Sequence, residues 1–332
     1  MIMKQFGKFI GKCILVALPF ILVIAYTLAC PMGYMDIEYP KRAYTHDVIN
    51  GDISYDTLVL GDSRAVADIV PNKMNDAVIL ANGGATAIEN YYYLKDYIDK
   101  HGAPDKCIIG FAPFHYSQID NFWNRTVYFN DLSAGELAEV FREARSIRKS
   151  SADDLTGAVL SGGDTADLIS NRLRLPHVYM PALVNSRFVG RYSENSQIYG
   201  NICEAGGHQL YGTSDGSSDL NYEVNYLAID ENDDSRLIQL YLLKLMDMCE
   251  EYGIDTYVVS LPMNDASYNA LHEEYVKSVS LFLKSLSDMY PAATVEQEIV
   301  RYDDELFGDS SHLNERGAEA YTDELVGRYF TD

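Results

Sequence analysis

The chain has 332 residues, 47% of them apolar, which is enough to bury a full-sized core and too apolar for a disordered polymer. Its net charge of −23, from 49 acidic and 26 basic residues, makes nucleic acid and anionic lipid headgroups poor partners. Its seven histidines and five cysteines show no metal-ligand spacing, and neither a metal nor an organic cofactor is implied.

The first thirty residues differ in kind. Lys4, Lys8 and Lys12 are the only charges there, and Cys13 to Cys30 is an uncharged apolar run of 18 residues. That length fits a bilayer-spanning helix of roughly 20 residues better than a signal-peptide core of roughly 7–15. The lysines precede the run, so the positive-inside bias puts residues 1–8 in the cytoplasm, a transmembrane helix over 9–31, and the rest of the chain outside. A cleaved signal is the alternative, because Thr27-Leu28-Ala29-Cys30 resembles a weak lipoprotein box with Cys30 as the lipidated residue. Either way the globular part is extracytoplasmic, and without the leading segment it carries 23 basic against 49 acidic residues.

A juxtamembrane segment spans 32–54, and a larger domain spans 55–330. In that domain Thr57–Leu60, Ala77–Ala81, Cys107–Phe111 and Thr256–Leu261 read as strands buried on both faces, with a last strand near 293–300. Helical patterns cover 87–100, 132–149, 235–252 (stopped by Gly253), 265–289 and 314–330. Alternating strands and helices predict an α/β fold, a parallel sheet covered by helices. Residues from about 172 to 226 are dense in Gly, Ser, Asn and Tyr without a sustained period, and read as an irregular insert. Cys107 in a strand pattern and Cys249 in a helix pattern read as buried thiols.

Two stretches carry chemistry. The first strand runs into Gly61-Asp62-Ser63-Arg64, a glycine-started turn that exposes a hydroxyl at the strand's carboxyl end. Arg64 is placed to pair with Asp68 one helical turn on. Near the other end, Asp309 and His312 stand three residues apart, just before the N-cap-like Asn314. At that spacing the Asp309 carboxylate reaches the His312 ring, fixes its tautomer and leaves Nε2 free to accept a proton. Sites in open α/β sheets form outside the carboxyl ends of the strands, where Ser63 and His312 are expected to converge.

Gly61-Asp62-Ser63, Asn82-Gly83-Gly84 after the second strand, and Asp309-Ser310-Ser311-His312-Leu313-Asn314 with Gly317 resemble the SGNH (GDSL-type) hydrolase superfamily. Within it the chain looks most like the bacterial, membrane-anchored envelope members, DltD-like and alginate O-acetylation protein-like. The resemblance implies a three-layer α/β/α sandwich with a flavodoxin-like sheet, Ser63 as nucleophile, His312 as general base and Asp309 as its partner. It also implies Gly84, with Asn82 and Gly83, at the oxyanion or substrate-binding position. Soluble members carry a Gly-x-Asn-Asp block after the third strand; here that strand runs into "IIGFAPFHYSQ", without Asn. Asn124 and His115 are the residues available to replace it. Pro262-Met263-Asn264-Asp265 follows the fourth strand instead.

The implied function is a serine acyltransferase or esterase acting on O-acyl groups, acetyl above all, of an envelope or secreted polysaccharide, with a multi-spanning membrane acyltransferase as partner. The alternatives are a dedicated carbohydrate esterase or lipase-like hydrolase, and a non-catalytic scaffold or glycan-binding protein on the same fold.

Overall fold

The computed structural model describes residues 2–119, 122–150, 165–229 and 231–330. Seven strands occur among them: β1 (Thr57–Gly61), β2 (Ala77–Ile79), β3 (Lys106–Phe111), β4 (Asp255–Ser260), β5 (Met263–Asn264), β6 (Thr294–Val295) and β7 (Arg301–Tyr302). Five form one parallel sheet in the order β2-β1-β3-β4-β6, and β5 pairs with β7 in a small second sheet. Every residue of β1 is buried, and so are the last five of β3, as expected where both faces of a parallel sheet are covered by helices.

The crossover helices follow their sequence signals. Ala87–His101 starts at Thr86, which with Glu89 forms a reciprocal capping box. Asp233–Tyr252 is capped by Asn232 and ends at Gly253, whose φ of 68° closes the helix in the left-handed region. The expected helix over 265–289 is two helices, Asp265–Ala270 and Glu273–Met289, because the chain turns extended at Leu271 and His272. Glu315–Tyr329 is the last helix, capped by Asn314. Val59, Val66, Ile79, Ile108, Val259, Phe307, Leu313, Tyr321 and Leu325 belong to one buried cluster under these elements.

The chain forms two compact units, Met1–Pro40 with Gly163–Ile198, and Lys41–Gly162 with Tyr199–Asp332. These bounds differ from the expected 32–54 and 55–330. The helix Tyr39–Asn50 runs into the sheet unit, where Lys41, Arg42 and Thr45 are buried. The expected insert is divided between the units and is largely helical, with Pro176–Asn185 and Tyr192–Glu204. Those helices contain prolines, glycine and asparagines in place of a strong apolar stripe, which is why periodicity misses them.

The smaller unit begins with the helix Ile2–Ala29, whose stretch Lys8–Ala29 is long and apolar enough to cross a membrane. Its apolar side chains are unburied, Leu15 at 74% and Val16 at 70% exposure. Its carboxyl end is different. The Thr27 carbonyl accepts hydrogen bonds from Tyr34 Oη and from buried Arg174 Nη1, both at 2.9 Å, and Tyr26 Oη donates to the Phe188 carbonyl at 2.6 Å.

In the sheet unit, β1 and β3 meet at Gly61 and Gly110. Gly61 has φ +145°, and a Cβ there would overlap the Gly110 carbonyl oxygen. Gly61→Ala is expected to cost about 2 kcal/mol or more, from a strained φ compounded by the overlap. Chemical denaturation of the full-length protein in detergent checks this, as a lower midpoint at unchanged slope.

Candidate active site

β1 ends at Gly61, and Asp62 caps the short helix Ser63–Asp68 by accepting the Arg64 N–H at 2.9 Å. Ser63 is therefore the first residue of a helix at the carboxyl end of a central strand. Its Oγ lies 2.9 Å from His312 Nε2. The His312 Nδ1 faces Asp309, 2.9 Å from Oδ2 and 3.1 Å from Oδ1. Asp309 Oδ1 also accepts the backbone N–H groups of Ser311 at 2.7 Å and His312 at 2.8 Å. Partial burial opposes the Asp309 charge, but the His312 imidazole and these two amides outweigh it and hold the carboxyl at about 2.

The loop carrying Asp309 and His312 is pinned at both ends. Gly308 N–H donates to the His312 carbonyl at 2.9 Å, and Leu313 N–H donates to Asp68 Oδ1 at 2.9 Å. Burial pushes the Asp68 carboxyl well above its usual range. Asn314 caps the last helix through Gly317 N–H and donates Nδ2 to the Glu305 carbonyl at 2.8 Å. Outside the loop, Gly212 and Gly308 cross backbone to backbone, with no room for a Cβ on either. Tyr211, the neighbour of Gly212, sets its ring 4.9 Å from the His312 ring.

A cavity of about 150 Å³ opens over Ser63 and His312, lined also by Asp62, Arg64, Gly84, Ala112, Phe114, His115, Arg125, Tyr222 and Ser311. Of the expected Asn82-Gly83-Gly84 group, only Gly84 lines it. Asn82 is fully buried and donates to Thr45 Oγ1 and Tyr93 Oη, each at 3.2 Å, while the Gly83 carbonyl accepts from Arg42 Nη2 at 2.8 Å. Both therefore act in the interior of the fold. Asn124 is exposed and outside the cavity, whereas His115 is inside it. Asn264 donates to the Ser217 and Asp219 carbonyls and caps Asp265–Ala270, far in role from the cavity.

Arg64 does not pair with Asp68 by hydrogen bond. It forms a fully buried ion pair with Glu223, which in turn accepts from Tyr275 Oη at 2.7 Å. Glu223 lies in a separate segment, so no local spacing announces it. Asp62 and His115 form a further pair that sequence spacing does not reveal: Nδ1 lies 2.5 Å from Asp62 Oδ2, which also accepts Ala112 N–H at 2.7 Å. Burial opposes the Asp62 charge, yet His115, Arg64 and the Ala112 amide hold its carboxyl below the usual range. No group of three or more His, Cys, Asp or Glu placed to hold a metal ion occurs among the described residues.

Compared with protein-family models, curated proteins and solved structures, the chain finds no match.

The depressed Asp309 carboxyl has a signature in acid. Because this group holds its proton less readily folded than unfolded, its contribution to stability is full above the ordinary carboxylate range and is lost as pH falls through about 2. Asp309→Asn is expected to flatten the stability profile of the full-length protein between roughly pH 4 and pH 2, measured by denaturant midpoints against wild type.

Proposed function

We propose that the protein is a membrane-anchored serine enzyme of the SGNH type that moves O-acyl groups, acetyl above all, on an extracytoplasmic polysaccharide. The observation that carries this is the chain of contacts from Asp309 through His312 to the Ser63 hydroxyl. It has the geometry of an activated nucleophile: a hydroxyl, a base within hydrogen-bond reach, and a carboxylate orienting the base. The strand order supports the same fold type. Counting its five strands in chain order, the main sheet runs 2-1-3-4-5, the arrangement of flavodoxin-like three-layer sandwiches. Ser63 also lies where that architecture collects ligands, at the carboxyl ends of strands beside the reversal in strand order.

The reaction has two halves. The Ser63 Oγ attacks the acyl carbon as His312 Nε2 takes its proton, the carbonyl electron pair moves to oxygen, and on this reading the backbone amides of Ser63 and Gly84 receive that charge. Collapse expels the leaving hydroxyl, which takes the proton from His312, and leaves an ester on Ser63. A sugar hydroxyl or water then repeats the steps in reverse, with His312 as base. A cavity of about 150 Å³ fits a short acyl chain. The aromatic faces of Tyr211 and Tyr222 beside it suit a sugar ring. On this reading a multi-spanning acyltransferase supplies the acyl group and engages residues 9–35.

The bonds from Arg174 and Tyr34 to the Thr27 carbonyl favour an uncleaved anchor, since processing before Cys30 would remove that carbonyl and leave buried Arg174 without it. The intact mass of protein extracted from membranes is expected to include residues 1–29; a chain beginning at a lipidated Cys30 refutes the anchor. For the chemistry, a fluorophosphonate probe applied to the full-length protein is expected to label wild type strongly. His312→Gln should slow labelling by about a thousandfold and Ser63→Ala should abolish it. Equal labelling of wild type and Ser63→Ala would sink the enzyme and leave a binding protein on this fold.

A further inference from the structure

A second imidazole stands in the same cavity with one nitrogen unused. His115 follows the end of β3, the hydrogen-bonded neighbour of β1, so it reaches the sheet edge beside Ser63. It is 3% exposed, and its ring lies 3.8 Å from that of Phe114. Nδ1 is committed to Asp62 at 2.5 Å, but the buried Nε2 has no partner. Arg64 Nη1, from another residue of the cavity wall, is likewise buried without a partner. Polar nitrogens withheld from water and from protein destabilise a fold unless a ligand meets them. Two such nitrogens belong to residues of one cavity wall, and His115 Nε2 is the one on a ring beside Ser63 at the sheet edge.

We propose that His115 is a catalytic residue, donating Nε2–H to the acyl carbonyl oxygen as that oxygen becomes negative. The proposal rests on the acyl-transfer reading of Ser63. The base position is already filled, because His312 Nε2 is the nitrogen within reach of Ser63 Oγ. Nε2–H is the donor in this role, while Nδ1 stays on the Asp62 carboxylate on the other side of the ring. That carboxylate already receives Arg64 N–H and Ala112 N–H, which fixes the ring's direction of approach. No bond to His115 forms or breaks during the reaction. As Ser63 Oγ bonds to the acyl carbon, its proton passes to His312 and the displaced π pair rests on the carbonyl oxygen. Nε2–H stabilises that oxygen until collapse returns the pair and expels the leaving group. A hydrogen-bond donor is worth more to the oxyanion than to the neutral carbonyl that precedes it, so the effect falls on kcat rather than KM.

Two amide substitutions separate this role from a structural one. In His115→Asn the carboxamide nitrogen falls near the position of Nδ1, keeping the bond to Asp62 and emptying the Nε2 position. In His115→Gln the carboxamide nitrogen reaches the Nε2 position. With the full-length protein in detergent and p-nitrophenyl acetate as substrate, His115→Asn is expected to lower kcat by about 10²–10³-fold with KM little changed. His115→Gln is expected to stay within about tenfold of wild type. Equal rates in the two variants, at either level, overturn the proposal, as does a more active His115→Asn. Wild type that neither turns over the ester nor labels at Ser63 removes the acyl-transfer reading itself, a failure seen before the variants are compared.

Discussion

The buried Asp62 carboxylate is the joint on which the site is assembled. It lies between the last residue of β1 and Ser63, and its oxygens receive the Arg64 amide, the Ala112 amide and the His115 ring. One side chain thus starts the helix that presents Ser63, ties that helix to the exit of the neighbouring strand, and orients a second imidazole. An N-cap alone is typically worth about 1 kcal/mol. Inside a low-dielectric interior, directional bonds to a charge are stronger and their loss costs more than in water. The acid between glycine and serine is therefore a structural necessity of this turn, whatever chemistry the serine performs.

The other half of the site arrives by core packing. His312 reaches Ser63 across 249 positions of chain because the segment around it is buried in the same cluster as the helix Ser63–Asp68. Phe307, Leu313 and Ala318 pack with Val66 and Ile69, and Asp68 closes the junction by accepting the Leu313 amide. Apolar burial brings the two segments together, and a few directional bonds set the ångström-scale placement of the ring. Transfer of burial into alignment is what permits a hydroxyl and an imidazole from opposite ends of a sequence to meet at hydrogen-bond distance.

What could be seen in the sequence follows from how local each signal is. The strands were legible because runs such as Thr57–Leu60 and Cys107–Phe111 are dominated by apolar residues without helical spacing, and Gly253 marked a helix end through its own backbone. Ser63, His312 and Asp309 were legible as short motifs, and their spacing within each motif carries the geometry. Asn82 stands beside two glycines at a strand end, and its amide is spent on Thr45 and Tyr93 inside the fold, partners that no local pattern announces. The partners of Arg64 and His115 were illegible for a different reason. Glu223 and Asp62 lie 159 and 53 positions away, and nothing local distinguishes a carboxylate that will be buried from one that will be solvated. The helices Pro176–Asn185 and Tyr192–Glu204 lay below detection because they lack a clear apolar stripe.

The crossing of Gly212 over Gly308 bears on how such a chain can diverge. Where two backbones touch with no side chain between them, neither path can be relieved by repacking, and a methyl group on one strand displaces the peptide of the other. Side chains elsewhere along these segments can be exchanged by repacking, but the crossing point itself admits a single residue type on both sides. In any descendant that retains this threading, a glycine immediately before the acid of the acid–histidine pair and a glycine about a hundred residues upstream should therefore be inherited together, as a signature independent of whether the serine survives.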